Sequence, residues 1–246
     1  MADYDNRVLR GQTAAAGVID AGLRAYMLRV YNYMLTGLVL TGATAWLTAS
    51  TPFGQLFYRI NPLTGAVGMT MLGLVALFAP LGLVLFMSFR IDRMSVSTAQ
   101  SIFWAYAGLV GISLAPVLLV YTGASVAQVF FITAATFGAM SLWGYTTRSD
   151  LSGFGSFLFM GLIGIVIASL VNLFVHSSMM QWIISVAGVL IFTGLTAYDT
   201  QAIKESYFAG DDGTVMGRKA IFGALRLYLD FVNLFLMLLR LMGNRR

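Results

Sequence analysis

The chain has 246 residues, 59% of them hydrophobic and 10% charged, with a net charge of +5, no cysteine and a mean hydropathy of +0.82. A soluble domain carries about 25% charge, so water cannot solvate this surface and lipid can. Without cysteine there are no disulfides, thiolate metal sites or cysteine nucleophile, and the basic residues are scattered among loops rather than gathered into a nucleic-acid-binding stripe.

In chain order, residues 1–29 carry Arg7, Arg10, Arg24 and Arg29 without an apolar core. This reads as a cytoplasmic N-terminal segment rather than a cleavable signal peptide. Apolar runs follow near 30–49, 67–89, 99–121, 124–145, 154–175, 181–203 and 220–242. Each is long enough to cross about 30 Å of hydrocarbon. Turn-forming stretches separate them: Ser50-Thr51-Pro52, Asn61-Pro62, Tyr121-Thr122-Gly123, 149–155 and Gly210-Asp211-Asp212-Gly213. The expectation is an all-α, polytopic membrane protein. Seven transmembrane helices form one domain over 30–242, and a short basic tail follows at 243–246. Glycine pairs such as Gly65/Gly68, Gly108/Gly111 and Gly161/Gly164 predict close helix packing. Trp46, Trp104, Trp143 and Trp182 fall near predicted helix ends, where indoles favour the interface.

With the N-terminus inside, the inner segments hold ten basic residues: four in 1–29, then Arg90, Arg93, Arg148, Lys204, Arg218 and Lys219. The outer loops before the last helix hold only Arg59, and basic residues concentrate on the cytoplasmic side. The seventh run can cross fully, which puts Arg245 and Arg246 outside, or re-enter as a broken hairpin. Its length favours crossing.

Ionisable groups inside a membrane helix cost about 2.5–3.5 kcal/mol at the centre on insertion scales, so they point to function. Here they gather in the last two helices, as Asp199 and Asp230. At 100° per residue, Arg226, Asp230, Asn233 and Arg240 share an arc of roughly 80°. A polar stripe of this kind cannot face lipid, which places the seventh helix at the bundle centre. Thr193, Thr196, Asp199 and Thr200 share one side of the sixth helix, making Thr196, Thr200 and Asn233 candidate pore-lining residues. Two carboxyls in hydrogen-bond reach share a proton and titrate as a unit, which makes a proton-dependent latch. The pair meets only if the seventh helix starts below the membrane surface. Arg90 is the first candidate counter-cation and Arg226 the second. Arg226 and Asp230 are four residues apart, so an intrahelical ion pair that neutralises Asp230 is the plainer alternative.

Other chemistry finds little support. His176 is the only histidine and lies near an outer loop, which excludes a histidine-based triad or metal site; the ligands of any metal stay unknown. Asp211-Asp212 reads as a solvated turn, and the 14 methionines as packing.

Tyr198-Asp199-Thr200-Gln201-Ala202-Ile203 and Leu227-Tyr228-Leu229-Asp230-Phe231-Val232-Asn233-Leu234-Phe235 resemble the sixth- and seventh-helix signatures of the Bax inhibitor family, also called the transmembrane Bax-inhibitor motif family. Gly111-Ile-Ser-Leu-Ala-Pro116 and Asn172-Leu-Phe174 are weaker similarities. The resemblance is strongest to the family's bacterial branch and runs from about residue 25 onward. It implies six helices around a seventh, a bacterial inner membrane, and a pH-sensitive calcium leak gated by an aspartate pair. Asp199 and Asp230 stand at the pair positions, and Arg90 where a latching arginine is expected. The sequence departs from the pattern in two places. The run 67–89 has no acidic residue, and Arg226 lies one turn from Asp230.

Three functions stay in view. The first is a proton-gated calcium leak or proton-coupled cation transporter, with calcium ions, protons and lipid as partners and no resident cofactor. The second is a non-transporting regulator that binds another membrane protein, such as a membrane-anchored protease. The third is an intramembrane aspartyl protease, but the Gly-x-Gly-Asp and Pro-Ala-Leu elements of that chemistry are missing, so no enzyme is expected.

Overall fold

A computed structural model describes the backbone of residues 2–60 and 67–245 and the side chains of 21–59 and 68–245. The expected turn at Asn61-Pro62, Gly65, Arg246 and the side chains of Arg7 and Arg10 lie outside the described residues. Seven α-helices account for most of the described chain: α1 (Ala2–Ser50), α2 (Met71–Arg90), α3 (Val96–Val120), α4 (Gly123–Thr146), α5 (Ser152–Val175), α6 (Ser178–Glu205) and α7 (Gly213–Met242). α2 through α7 are each long and apolar enough to cross a membrane. α1 is not among them, because Asn32, Thr36, Thr41, Thr44 and Thr48 dilute its apolar run. The protein is thus an all-α polytopic membrane protein.

Three boundaries differ from the sequence expectation, one of them the start of α7, at Gly213 rather than near 220. α1 begins well before residue 30. The run predicted over 67–89 opens as a strand: β1 (Tyr58–Ile60) pairs antiparallel with β2 (Val67–Met69) before Thr70 starts α2. Hydropathy does not separate a short apolar strand from the first turn of a helix.

Capping residues set the starts of most helices. The side chains of Thr70, Ser95, Thr122, Ser177 and Asp212 accept from backbone N–H groups in the first turns of α2, α3, α4, α6 and α7. Each satisfies a donor that the helix cannot. α5 ends at His176, whose φ of 53° makes it a left-handed helix stop.

Prolines inside α2 and α3 leave carbonyls without their usual helical donors, and lipid offers no replacement. Neighbouring side chains supply one. The Ser113 hydroxyl of α3 donates to the Ala76 carbonyl at 2.8 Å, four residues before Pro80. The Tyr58 hydroxyl donates to the Ile112 carbonyl at 2.9 Å, four residues before Pro116.

α7 is the central helix. In it 61% of the most apolar stretch is buried, against 11% to 39% in α2 through α6. It packs against α1, α3, α4 and α6, while α2 leans mainly on α3 and α5 mainly on α6. The ring around α7 is therefore made chiefly of four helices, with two outside it. Tyr228 of α7 sits fully buried between Phe103 and Tyr106 of α3, and its hydroxyl meets Thr41 of α1 at 2.6 Å. Small residues set the closest approaches. A Cβ added at Gly144 of α4 would stand 2.8 Å from the Ala197 Cα of α6. Of the helical glycine pairs, Gly111 and Gly161 lie against a neighbour, while Gly108 makes only ordinary contact and Gly164 faces open space.

α7 crosses the whole bundle. Beyond its last turn Arg245 bridges to Tyr121, and the Asn244 backbone bonds to Thr122 and Ser125 at the α3–α4 connection. That is the opposite end of the molecule from the α6–α7 loop. A broken re-entrant hairpin is excluded, because the helix is continuous from Gly213 to Met242.

Candidate functional site

Asp199 and Asp230 come together at the α6–α7 contact. They are 7% and 4% exposed, line the same cavity, and have carboxyls close enough to interact. Depth explains how. Asp199 lies about 9 Å from the end of α6, but Asp230 lies about 25 Å along α7 at 1.5 Å per residue. The two align because α7 starts well below the end of α6. Its first turns are held there by an Asp211–Lys219 ion pair at 2.5 Å, by Lys219 on the Ser206 carbonyl, and by Arg218 on the Asp92 carbonyl. The Asp211-Asp212 turn is thus partly structural: Asp212 caps α7 and Asp211 anchors it.

Arg226 donates to Asp199 across the helix interface rather than to Asp230 on its own helix. The intrahelical ion pair does not form. Instead, the guanidinium ties α7 to α6. Asp230 Oδ2 is fully buried and finds no donor among the described residues. An ionised carboxylate only accepts, so a second carboxylate beside it gives that oxygen nothing. A proton between the two acids would satisfy it.

The site opens into a cavity of about 720 Å³ between α5, α6 and α7. Ser156, Asp199, Arg226, Asp230 and Asn233 supply its polar wall, and Tyr198, Phe159 and Leu162 are among its apolar lining. Asn233 lines it as expected, with its amide donating to the Leu229 carbonyl at 2.9 Å. Thr196 and Thr200 do not. Both are fully buried, Thr196 bonds back to Phe192, and Thr200 bonds to Thr196 and to Ser141 of α4. Sharing a side with Asp199 put them against a neighbouring helix rather than in the cavity. Arg90 is also placed elsewhere. It is exposed at the end of α2, a helix that packs on α3, and among the described residues it makes no ion pair. Arg226 takes the place expected of Arg90 as counter-charge.

The third wall, α5, gave no sequence signal because it carries no ionisable residue. Its contribution is space: a Cβ added at Gly155 would collide with the Tyr198 ring. Among the described residues no group of three or more potential ligands is placed to hold a metal ion.

A central membrane helix carrying a buried acid pair and one arginine, at the end of a cavity, defines a polytopic membrane protein with a polar site in its core. The chain matches, over residues 23–246, the family described as "Inhibitor of apoptosis-promoting Bax1". It is 46% identical over 228 residues to the "Inner membrane protein YbhL" of Escherichia coli strain K12, covering 92% of this chain and 94% of that protein. It is also 46% identical, over the full length of both, to the uncharacterized protein RP147 of Rickettsia prowazekii. An uncharacterized protein of Caulobacter vibrioides is 47% identical over 93% of this chain and 92% of its own length. The chain belongs to the Bax inhibitor family.

Proposed function

We propose that the protein is a proton-sensitive calcium leak channel, or a proton-coupled cation transporter, of a bacterial inner membrane, with its N-terminus on the cytoplasmic side. The observation that carries this reading is the meeting of Asp199, Asp230 and Arg226 on the wall of the cavity between α5, α6 and α7. With one proton shared, the two acids and the guanidinium sum to zero charge, and a hydrogen bond holds α6 to α7. Losing that proton leaves two facing carboxylates and a net charge of −1. Repulsion then loosens the contact, and the added negative charge favours a cation in the cavity. Both effects act in the same direction, so flux rises with pH.

The test is calcium flux into liposomes across a pH series. Wild-type flux should climb as pH rises, and Asp199→Asn with Asp230→Asn should remove the pH dependence, because amides bond to each other without a shared proton. Flux that is unchanged in the double variant would sink the gating assignment. Catalysis by the pair is disfavoured, since the guanidinium occupies a carboxylate oxygen that a water-activating dyad needs free. The second reading is a non-transporting regulator of another membrane protein, such as a membrane-anchored protease. The Arg226–Asp199 ion pair favours it, as it neutralises the site in the way a packing role requires. A crosslinked partner together with zero flux at every pH would select it.

A further inference from the structure

A second cavity, of about 660 Å³, lies between the same three helices on the far side of the aspartates. Its polar groups are Ser169, Asn172, His176, Gln181 and Arg240, toward the end of the molecule where α7 finishes. The two cavities share three lining residues, one from each helix: Leu162 of α5, Phe192 of α6 and Asn233 of α7. The crevice is thus one feature divided in two. Phe192 is 5% exposed and Leu162 half-buried, and Asn233 is the only polar side chain at the division. One N–H of its amide already donates to the Leu229 carbonyl. Water or an ion at this neck would meet two hydrocarbon side chains and one partly engaged amide. That is too little to replace a hydration shell, and apolar constrictions of this kind close by dewetting.

We propose that Leu162 and Phe192 form a hydrophobic gate between an aspartate vestibule and an Arg240 vestibule on the α5–α6–α7 crevice. This gate is distinct from the carboxyl latch. Asp199 follows the neck residue Phe192 by about 10 Å along α6 at 1.5 Å per residue, so the proton-sensitive contact and the water barrier are adjacent but separate. The assignment deepens the proposed ion path and rests on it for its ionic meaning. Its test needs no ion to flow.

Because the chain has no cysteine, single cysteines report water access without background. Ser156 lines the aspartate vestibule and Ser169 the Arg240 vestibule. In proteoliposomes of the full chain, a membrane-impermeant thiol reagent should label Ser156→Cys only from the α6–α7 loop face and Ser169→Cys only from the opposite face. Adding Leu162→Ala or Phe192→Ala should raise labelling from the wrong face at least about tenfold, as a dewetted neck fills. Phe192 belongs to the core, so Leu162→Asn on the less buried α5 is the variant that retains the fold if Phe192→Ala does not. Labelling of either cysteine from both faces in the unmodified neck would overturn the gate. So would no labelling of Ser156→Cys from either face, or unchanged sidedness in folded Leu162 variants. A pH-independent flux with sided labelling would remove the latch and leave the gate standing.

Discussion

Asp230 and Arg226 differ in how far the sequence revealed them. That both lie on the polar face of α7 follows from helical periodicity alone. That Arg226 reaches Asp199 rather than Asp230 depends on how far α7 slides along α6. Anchors such as Lys219–Asp211 and Arg218 on the Asp92 carbonyl fix that offset, and they are long-range contacts with no local signature. Arg90 was misplaced for the same reason, since its end of α2 packs on α3 rather than beside the acids. A different carboxylate gives a prediction at this scale. Asp150 precedes α5, and the Ser152 hydroxyl and backbone N–H hold its carboxyl below the usual carboxylate range. A depressed value means the contact stabilises the fold above the unfolded value, about 4, and is lost as pH falls through the folded one. Asp150→Ala should therefore lower the thermal midpoint at neutral pH. The gap to wild type should close in acid; a gap that persists well below pH 3 would contradict the assignment.

The seven helices were legible as elements because apolar length and turn chemistry both mark membrane helices. All seven predicted runs overlap the observed helices, with ends within a few residues except at the starts of α1, α2 and α7. Illegible were the pairings that let prolines sit inside two of them. Ser113 and Tyr58 read as unremarkable polar residues until their hydroxyls are seen on the carbonyls freed by Pro80 and Pro116. Ala76 is 2% exposed, so its carbonyl has no water to turn to. Ser113→Ala should cost about 1–3 kcal/mol, the penalty for an unsatisfied buried acceptor. Pro80→Ala in the same chain restores the helical donor, so the double variant should lose less than Ser113→Ala alone in detergent unfolding. Equal losses would show that the hydroxyl does not serve that carbonyl.

At the scale of the molecule, α7 as the central helix was deduced from one stripe of polar residues. Its surroundings were less accessible to sequence reasoning. Nothing in the apolar faces of α2 and α5 separates the four helices that touch α7 from the two that pack outside them. The crevice between α5, α6 and α7 is a product of that unequal packing and has no sequence mark of its own. Full crossing by α7 has a direct check. Phe208, exposed in the α6–α7 loop, and Met242, exposed at the end of α7, should carry cysteines that label from opposite faces of the membrane. Labelling of both from one face would require α7 to turn back.

Chain order sets a constraint on how this bundle is made. The helix that fills its middle leaves the ribosome after the six that surround or flank it. Until α7 arrives, α1, α3, α4 and α6 have no partner for the faces that hold Thr41, Phe103 and Phe137, and Asp199 has neither its cation nor its companion acid. Those faces are covered only when α7 packs against them. Completing the bundle takes the packing of α7 against α1, α3, α4 and α6, with the Tyr121–Arg245 bridge at its far end.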